Sequence, residues 1–259
     1  MHEREAARQG IACAYLLIDF DQLGFHDSDL ADVIAFARRL GFQGLNVTHP
    51  FKQAVVGELD TLAPEAGTIG AVNTIVFSGG KAIGHNTDSW GFAESFRDGM
   101  DGVALDRVVQ FGAGGAGAAV AHALVGLGIR QLSIIDSDFQ RAHSLADRMP
   151  TAAGSTIEVE TDVVRALENA DGIVNTTPVG MAKYPGLPFP VELLQPRHWV
   201  ADIVYFPTET ELLRRARSLG CRTLDGTGMA IGQAARAFEL FTGMTADRHA
   251  MAKHFEAAA

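Results

Sequence analysis

One stretch limits the possible folds of this chain more than any other. Gly112-Ala113-Gly114-Gly115-Ala116-Gly117 lies between the apolar run Val108-Val109-Gln110-Phe111 and the alanine-rich run Ala118–Leu127. This is GxGxxG at a strand-to-helix junction, the context in which the motif has a mechanism. Gly112 allows a tight turn, and Gly114 lets backbone approach a pyrophosphate. Gly117 lets the helix pack on the strand, and the N-terminus of that helix favours the anion. Asp136 follows Gly117 by 19 residues, just after a second apolar run, Gln131–Ile135. A carboxylate there accepts hydrogen bonds from an adenosine ribose and repels a 2′-phosphate, so the expected cofactor is NAD. Arg141 can stack on the adenine or meet the ribose, which blunts that repulsion. Asp136 also has a plain alternative role as a helix N-cap.

Helix and strand patterns alternate along most of the chain, which predicts an α/β fold. Strands are expected at Ala12–Asp19, Gly44–Val47, Val72–Phe77 and Ala82–Ile83, the last two joined by a tight turn at Gly79-Gly80. A helix capped by Asp29 carries Leu30, Val33, Ile34, Ala37 and Leu40, and Gly41 stops it. Another helix runs from about Ser89 to Gly99. From Arg107 onward strands are predicted at 108–111, 131–135, 157–159, 172–174, 200–204 and 222–224. Helices lie at 118–127, 139–148, 163–169 and 210–219. The end, Met229–Thr242 and Ala246–Phe255, is helical only. The boundaries predicted are a first α/β lobe over residues 1–90 and a dinucleotide-binding lobe over 91–228. Residues 229–259, lacking strand partners, are expected to return to the first lobe.

Charge narrows the partners. The 259 residues carry 21 Lys+Arg against 31 Asp+Glu, a net charge of −10. Such a chain is a poor general binder of nucleic acid or anionic membrane, and an anionic ligand must rely on a few local cations. The two cysteines, Cys13 and Cys221, form no CxxC pattern, and the nine histidines show no metal-ligand spacing, so no metal is expected. No apolar run has the length of a membrane span, and MHEREA lacks the apolar core of a signal peptide, so a cytoplasmic protein is expected.

Three polar loops in the first lobe sit at predicted strand ends, where α/β sheets bind ligands. They are Asn46–Lys52, Gly70–Thr74 and Gly84–Asp88. Lys52 offers charge and proton transfer, while Asn73 and Asp88 suit hydroxyls. Singly, each residue has a bland reading as a solvated lysine or a turn former.

Together, GLNVTHPFKQ, GAVNT, GHNTD, GAGGAG, NTTPVGM, DIVYFPTETELL and DGTGMAIGQAARAFELFTG resemble the shikimate dehydrogenase family. Within it the chain is most similar to the NAD-dependent quinate/shikimate dehydrogenases. The resemblance implies an N-terminal α/β substrate lobe and a C-terminal Rossmann-type NAD-binding lobe, with the active site in a cleft. It implies reversible oxidation of the C3 hydroxyl of shikimate or quinate, a small hydroxylated carboxylic acid. A monomer or homodimer is expected. Lys52 matches the family's proton-transfer residue and Asp88 its partner. Thr48, Asn73, Tyr205 and Gln233 match positions that hold substrate oxygens. Val179, Ile203 and Gly226 match positions near the nicotinamide. Where NADP enzymes of the family carry an Asn-Arg-Thr type segment, this chain reads Asp136-Ser137-Asp138.

One departure stands out. The family pattern opens with a strand and a Ser-x-Ser or Ser-x-Thr segment that grips the substrate carboxylate. Met1-His2-Glu3 resembles the start of the helix that follows it. Either that segment lies upstream of Met1, or carboxylate recognition is weakened. The alternative function is then an NAD-binding, catalytically impaired paralogue.

Overall fold

Strand and helix signals in the first third produce short elements. The computed structural model describes residues 1–151 and 154–257. It begins with α1 (His2–Arg8), α2 (Phe20–Leu23), α3 (Leu30–Arg39), β1 (Gly44–Asn46), β2 (Thr61–Leu62), α4 (Pro64–Ile69), β3 (Thr74–Ser78) and β4 (Lys81–His85). Then come α5 (Thr87–Gly99), β5 (Arg107–Phe111), α6 (Gly115–Gly126), β6 (Gln131–Ile135), α7 (Phe139–Arg148), β7 (Thr156–Val159), α8 (Val163–Glu168) and β8 (Gly172–Asn175). The chain continues through β9 (Trp199–Asp202), α9 (Glu211–Ser218), β10 (Arg222–Leu224), α10 (Thr227–Thr242) and α11 (Arg248–Glu256). The fold is α/β. Its contacts divide it into two units, Met1–Thr87 with Ile231–Ala259, and Asp88–Ala230.

The first unit holds a four-stranded sheet in the order β1-β3-β4-β2. Gly79 and Gly80, at φ 57° and 77°, close the β3–β4 hairpin as a two-residue turn with both φ values positive. The core beneath is formed by Leu30, Ile34, Val55, Ala66, Val72, Ile75 and Ala82. Terminal helices are fastened by Glu5, whose buried carboxylate accepts from Arg8 (2.9 and 2.8 Å), Gln9 (2.6 Å) and the Asp247 N–H (3.0 Å). These donors, the Arg8 guanidinium first, hold the Glu5 carboxyl down at about 2.

Two expectations fail here. Ala12–Asp19 forms no strand and pairs with none among the described residues. Its apolar pattern is that of a strand, yet a strand exists only where another offers its N–H and C=O groups. Among the described residues the segment is held by side chains instead: the Tyr15 N–H donates to Glu3 (2.9 Å) and the Tyr15 hydroxyl to Asn46 Oδ1 (2.9 Å). Leu16 and Leu17 are left exposed. At α3, the Asp29 carboxylate turns back to the His26 N–H (2.8 Å) and caps nothing in that helix. The end of the helix is as expected: Leu40 is the exposed C-cap, its N–H still donating to the Phe36 carbonyl (2.8 Å), and Gly41 at φ 82° stops it.

The second unit is a six-stranded, wholly parallel sheet in the order β10-β9-β8-β5-β6-β7. Strand order reverses between β5 and β8, the switch point at which such sheets bind ligands. One face is packed by Val109, Phe111, Ile173, Val200, Leu212 and Leu213. α6 is buried along much of its length because alanine lets it approach the sheet closely. Gly172 is required on β8: a Cβ there would collide with the buried Trp199 indole.

Candidate functional site

The glycine turn sits at the carboxyl end of β5, beside the switch point. Gly112 has φ 101°, a conformation that favours glycine, and a Cβ on it would lie 2.7 Å from Thr176 Oγ1. A Cβ on Gly117 would strike the Gly112 carbonyl. Gly114 differs, since nothing lies within 4 Å of where its Cβ would be. It is the N-cap of α6, and no side chain caps that helix. The first N–H groups of a 12-residue helix therefore face an open approach, which suits a pyrophosphate.

The Asp136 carboxylate lies against this turn. Its Oδ2 accepts from the Ala113 N–H (2.6 Å) and its Oδ1 from the Asp138 N–H (2.8 Å). The N-cap of α7 is Asp138, which accepts from the Arg141 N–H (3.1 Å). Arg141 also pairs with Asp138 (3.3 Å), and both contacts hold the Asp138 carboxyl below its usual range. The capping alternative for Asp136 is thus filled by its neighbour, and the nearest cation already has a carboxylate. These groups fit an adenosine ribose with free hydroxyls. A phosphate about 4 Å from Asp136 would meet repulsion of about 4 kcal/mol at an effective dielectric near 20.

Asn175 and Asp202 end β8 and β9, and they tie together the loops beyond. Asn175 Nδ2 donates to Asp202 Oδ1 (3.0 Å) and to the Val179 carbonyl (2.9 Å). Asp202 also accepts from the Val204 N–H (3.1 Å) and the Thr210 hydroxyl (2.7 Å). Burial outweighs these bonds and pushes its carboxyl up to about 6. Gly226 packs directly on the Ile203 carbonyl. Val179, Ile203 and Gly226 are therefore gathered around one network. Tyr205, in the same unit, is exposed and meets Phe206 edge-on at 5.3 Å. Asn175, Asp202 and Thr210 have no role assigned from sequence, although all three lie in quoted motifs.

In the first unit, two backbone bonds fasten the Lys52 loop to the Asn73 loop. The Val72 N–H donates to the Lys52 carbonyl (2.7 Å), and the Val47 N–H to the Asn73 carbonyl (2.8 Å). Thr48 and Lys52 are thereby brought beside Asn73. Asn73 itself is buried, donating to Thr87 Oγ1 (2.9 Å) and accepting from the Thr87 N–H (2.8 Å). It anchors the first residue of α5, whose next residue is the buried Asp88. A chain of bonds runs on from Thr74 to Asn46 (3.1 Å) and to Tyr15 (2.9 Å). Sequence reading assigned no part to Asn46, Tyr15 or Thr87. Gln233 lies on α10 within this unit, half-buried.

A parallel sheet whose central strand ends in an uncapped glycine turn, in a chain with a second lysine-bearing α/β unit, defines a dinucleotide-dependent dehydrogenase. Family models narrow this class. The shikimate dehydrogenase substrate binding domain matches residues 1–75, and the shikimate 5′-dehydrogenase C-terminal domain matches 226–254. A shikimate dehydrogenase (NADP(+)) of Streptomyces avermitilis is 54% identical over 250 residues, 95% of this chain and 86% of that one. A quinate/shikimate dehydrogenase (NAD(+)) of Corynebacterium efficiens is 47% identical over 259 residues, covering 98% and 91%. The solved quinate dehydrogenase from Corynebacterium glutamicum in complex with NAD superposes with TM-score 0.91 at 47% identity, over 99% and 92% of the two chains. The chain belongs to the shikimate dehydrogenase family.

Proposed function

We propose that this chain reversibly oxidises the C3 hydroxyl of shikimate, quinate or both to the 3-dehydro acid, with NAD as the cofactor. The observation that carries this reading is Asp136, released from capping by Asp138 and bonded to the open glycine turn. Relatives named for shikimate and quinate supply the substrate class.

Bound NAD supplies the hydride acceptor. The glycine turn, Gly112 to Gly117, holds its pyrophosphate, Asp136 and Arg141 face its adenosine half, and Val179, Ile203 and Gly226 lie at its nicotinamide. Lys52 takes the proton of the C3 hydroxyl during oxidation and returns it to the carbonyl oxygen during reduction. Asp88 is its partner. Thr48, Asn73, Tyr205 and Gln233 hold the remaining oxygens. In a chain of net charge −10, the lysine also supplies local positive charge for an anionic acid.

A second reading, NADP as cofactor, is favoured by the name of the Streptomyces avermitilis relative. The identities, 54% against 47%, are averages over nearly the whole chain. Cofactor choice is made at the ribose, where this chain places a carboxylate, and that local charge decides for NAD.

The test is NADH formation with shikimate and with quinate. Lys52→Ala lowers kcat by about 10²–10⁴, the usual scale of general acid–base catalysis. A kcat within threefold of the unaltered protein removes Lys52 from the mechanism. NAD binding without NADH formation from either acid would leave a binding protein and refute the reading.

A further inference from the structure

β5 is buried in the middle of a parallel sheet, where an apolar residue would lose nothing on leaving water. Its fourth residue is instead Gln110, which is wholly buried. The Gln110 Oε1 accepts no hydrogen bond among the described residues, so what the amide contributes is its NH₂ group. That group donates to the carbonyls of Gly112 (2.8 Å) and Gly117 (2.9 Å), the first and last glycines of the turn. Thr176, just beyond β8, shares its hydroxyl between the Phe111 carbonyl (2.7 Å) and the Gly112 carbonyl (2.9 Å).

Peptide planarity gives these bonds a consequence. In a trans peptide the C=O and the following N–H point opposite ways. With the Gly112 carbonyl drawn back to Gln110, the Ala113 N–H must point outward, and it meets Asp136 there. With the Gly117 carbonyl held by the same amide, the first turn of α6 is fixed at a set distance from the entry to the glycine turn.

We infer that Gln110 is a positioning residue for the cofactor pyrophosphate, shaping the glycine turn from behind before the ligand arrives. This rests on the reading that the turn binds a dinucleotide. Shaping the site in advance lowers the cost of binding without touching the chemistry.

Gln110→Met keeps the length and removes both donors. Gln110→Glu keeps the shape but sets a carboxylate against two carbonyls. The Kd of NADH, read by fluorescence, and the inhibition constant of ADP-ribose are expected to rise about tenfold or more with Met. A larger rise is expected with Glu. At saturating NAD, kcat and the KM of the acid stay within about threefold. Unchanged NADH affinity in Gln110→Met overturns the inference, as does a parallel loss of kcat and of acid binding. If Gln110→Met does not fold, Thr176→Val carries the same expectation at smaller size, and unchanged NADH affinity there overturns it. An unaltered protein that binds no NADH would instead refute the dinucleotide reading, and the inference with it.

Discussion

Asp202 sits where burial and hydrogen bonding oppose each other. Three donors favour its charged form, but loss of water outweighs them and raises the carboxyl from 3.8 to about 6. A native carboxyl that binds its proton more tightly than the unfolded one stabilises the fold most below the unfolded value. That contribution fades as pH rises from about 4 through 6. The shift corresponds to about 3 kcal/mol in all, of which about 1 kcal/mol is lost between pH 5 and pH 8. Asp202→Asn therefore flattens the stability–pH curve over that range by about 1 kcal/mol, measurable by urea unfolding at both ends. An identical slope in the two proteins would show that Asp202 titrates normally. Single residues also show what a sequence makes legible. Asp136 was readable because a carboxylate at that distance from a glycine turn has few uses. That Asp138 would take the cap was not, since both aspartates fit the pattern and only backbone geometry separates them. Gln110 hides for another reason: one polar residue in a strand reads as noise until its amide is seen bridging two carbonyls.

Elements follow the same division. β6, α7 and β10 fall where apolar periodicity and flanking turn residues place them, because their pattern and their burial agree. Thr61–Leu62 and Pro64–Ile69 are too short to show a period, and they exist through pairing with β4 and its surroundings. Ala12–Asp19 is the converse, a strand pattern without a ladder. In the first unit, Lys52, Asn73 and Thr48 are each readable as polar loop residues. The two backbone bonds that join their loops are not sequence features at all. Packing at β8 supplies a sharper test. Gly172→Ala puts a methyl into the indole of Trp199, which is pinned by its donation to the Ala104 carbonyl (2.8 Å). Overpacking of a rigid, buried neighbour costs about 1–3 kcal/mol. Denaturant unfolding should find that loss, and a change below about 0.5 kcal/mol would mean that the sheet yields there.

Across the whole molecule, an acidic chain handles an anionic acid and a cofactor with a doubly anionic pyrophosphate, with few cations. The Arg141 side chain is already shared with Asp138, and Asp136 faces the glycine turn. On the proposed reading, extra phosphate at the ribose meets the Asp136 carboxylate while Arg141 is already paired with Asp138. NAD preference is tested by the ratio of kcat/KM for NAD to that for NADP, measured with shikimate and quinate. A ratio of about ten or more is expected for the unaltered protein, falling sharply in Asp136→Ala, since about 1.4 kcal/mol of discrimination is tenfold. A preference for NADP, or a ratio that Asp136→Ala leaves unchanged, would contradict it.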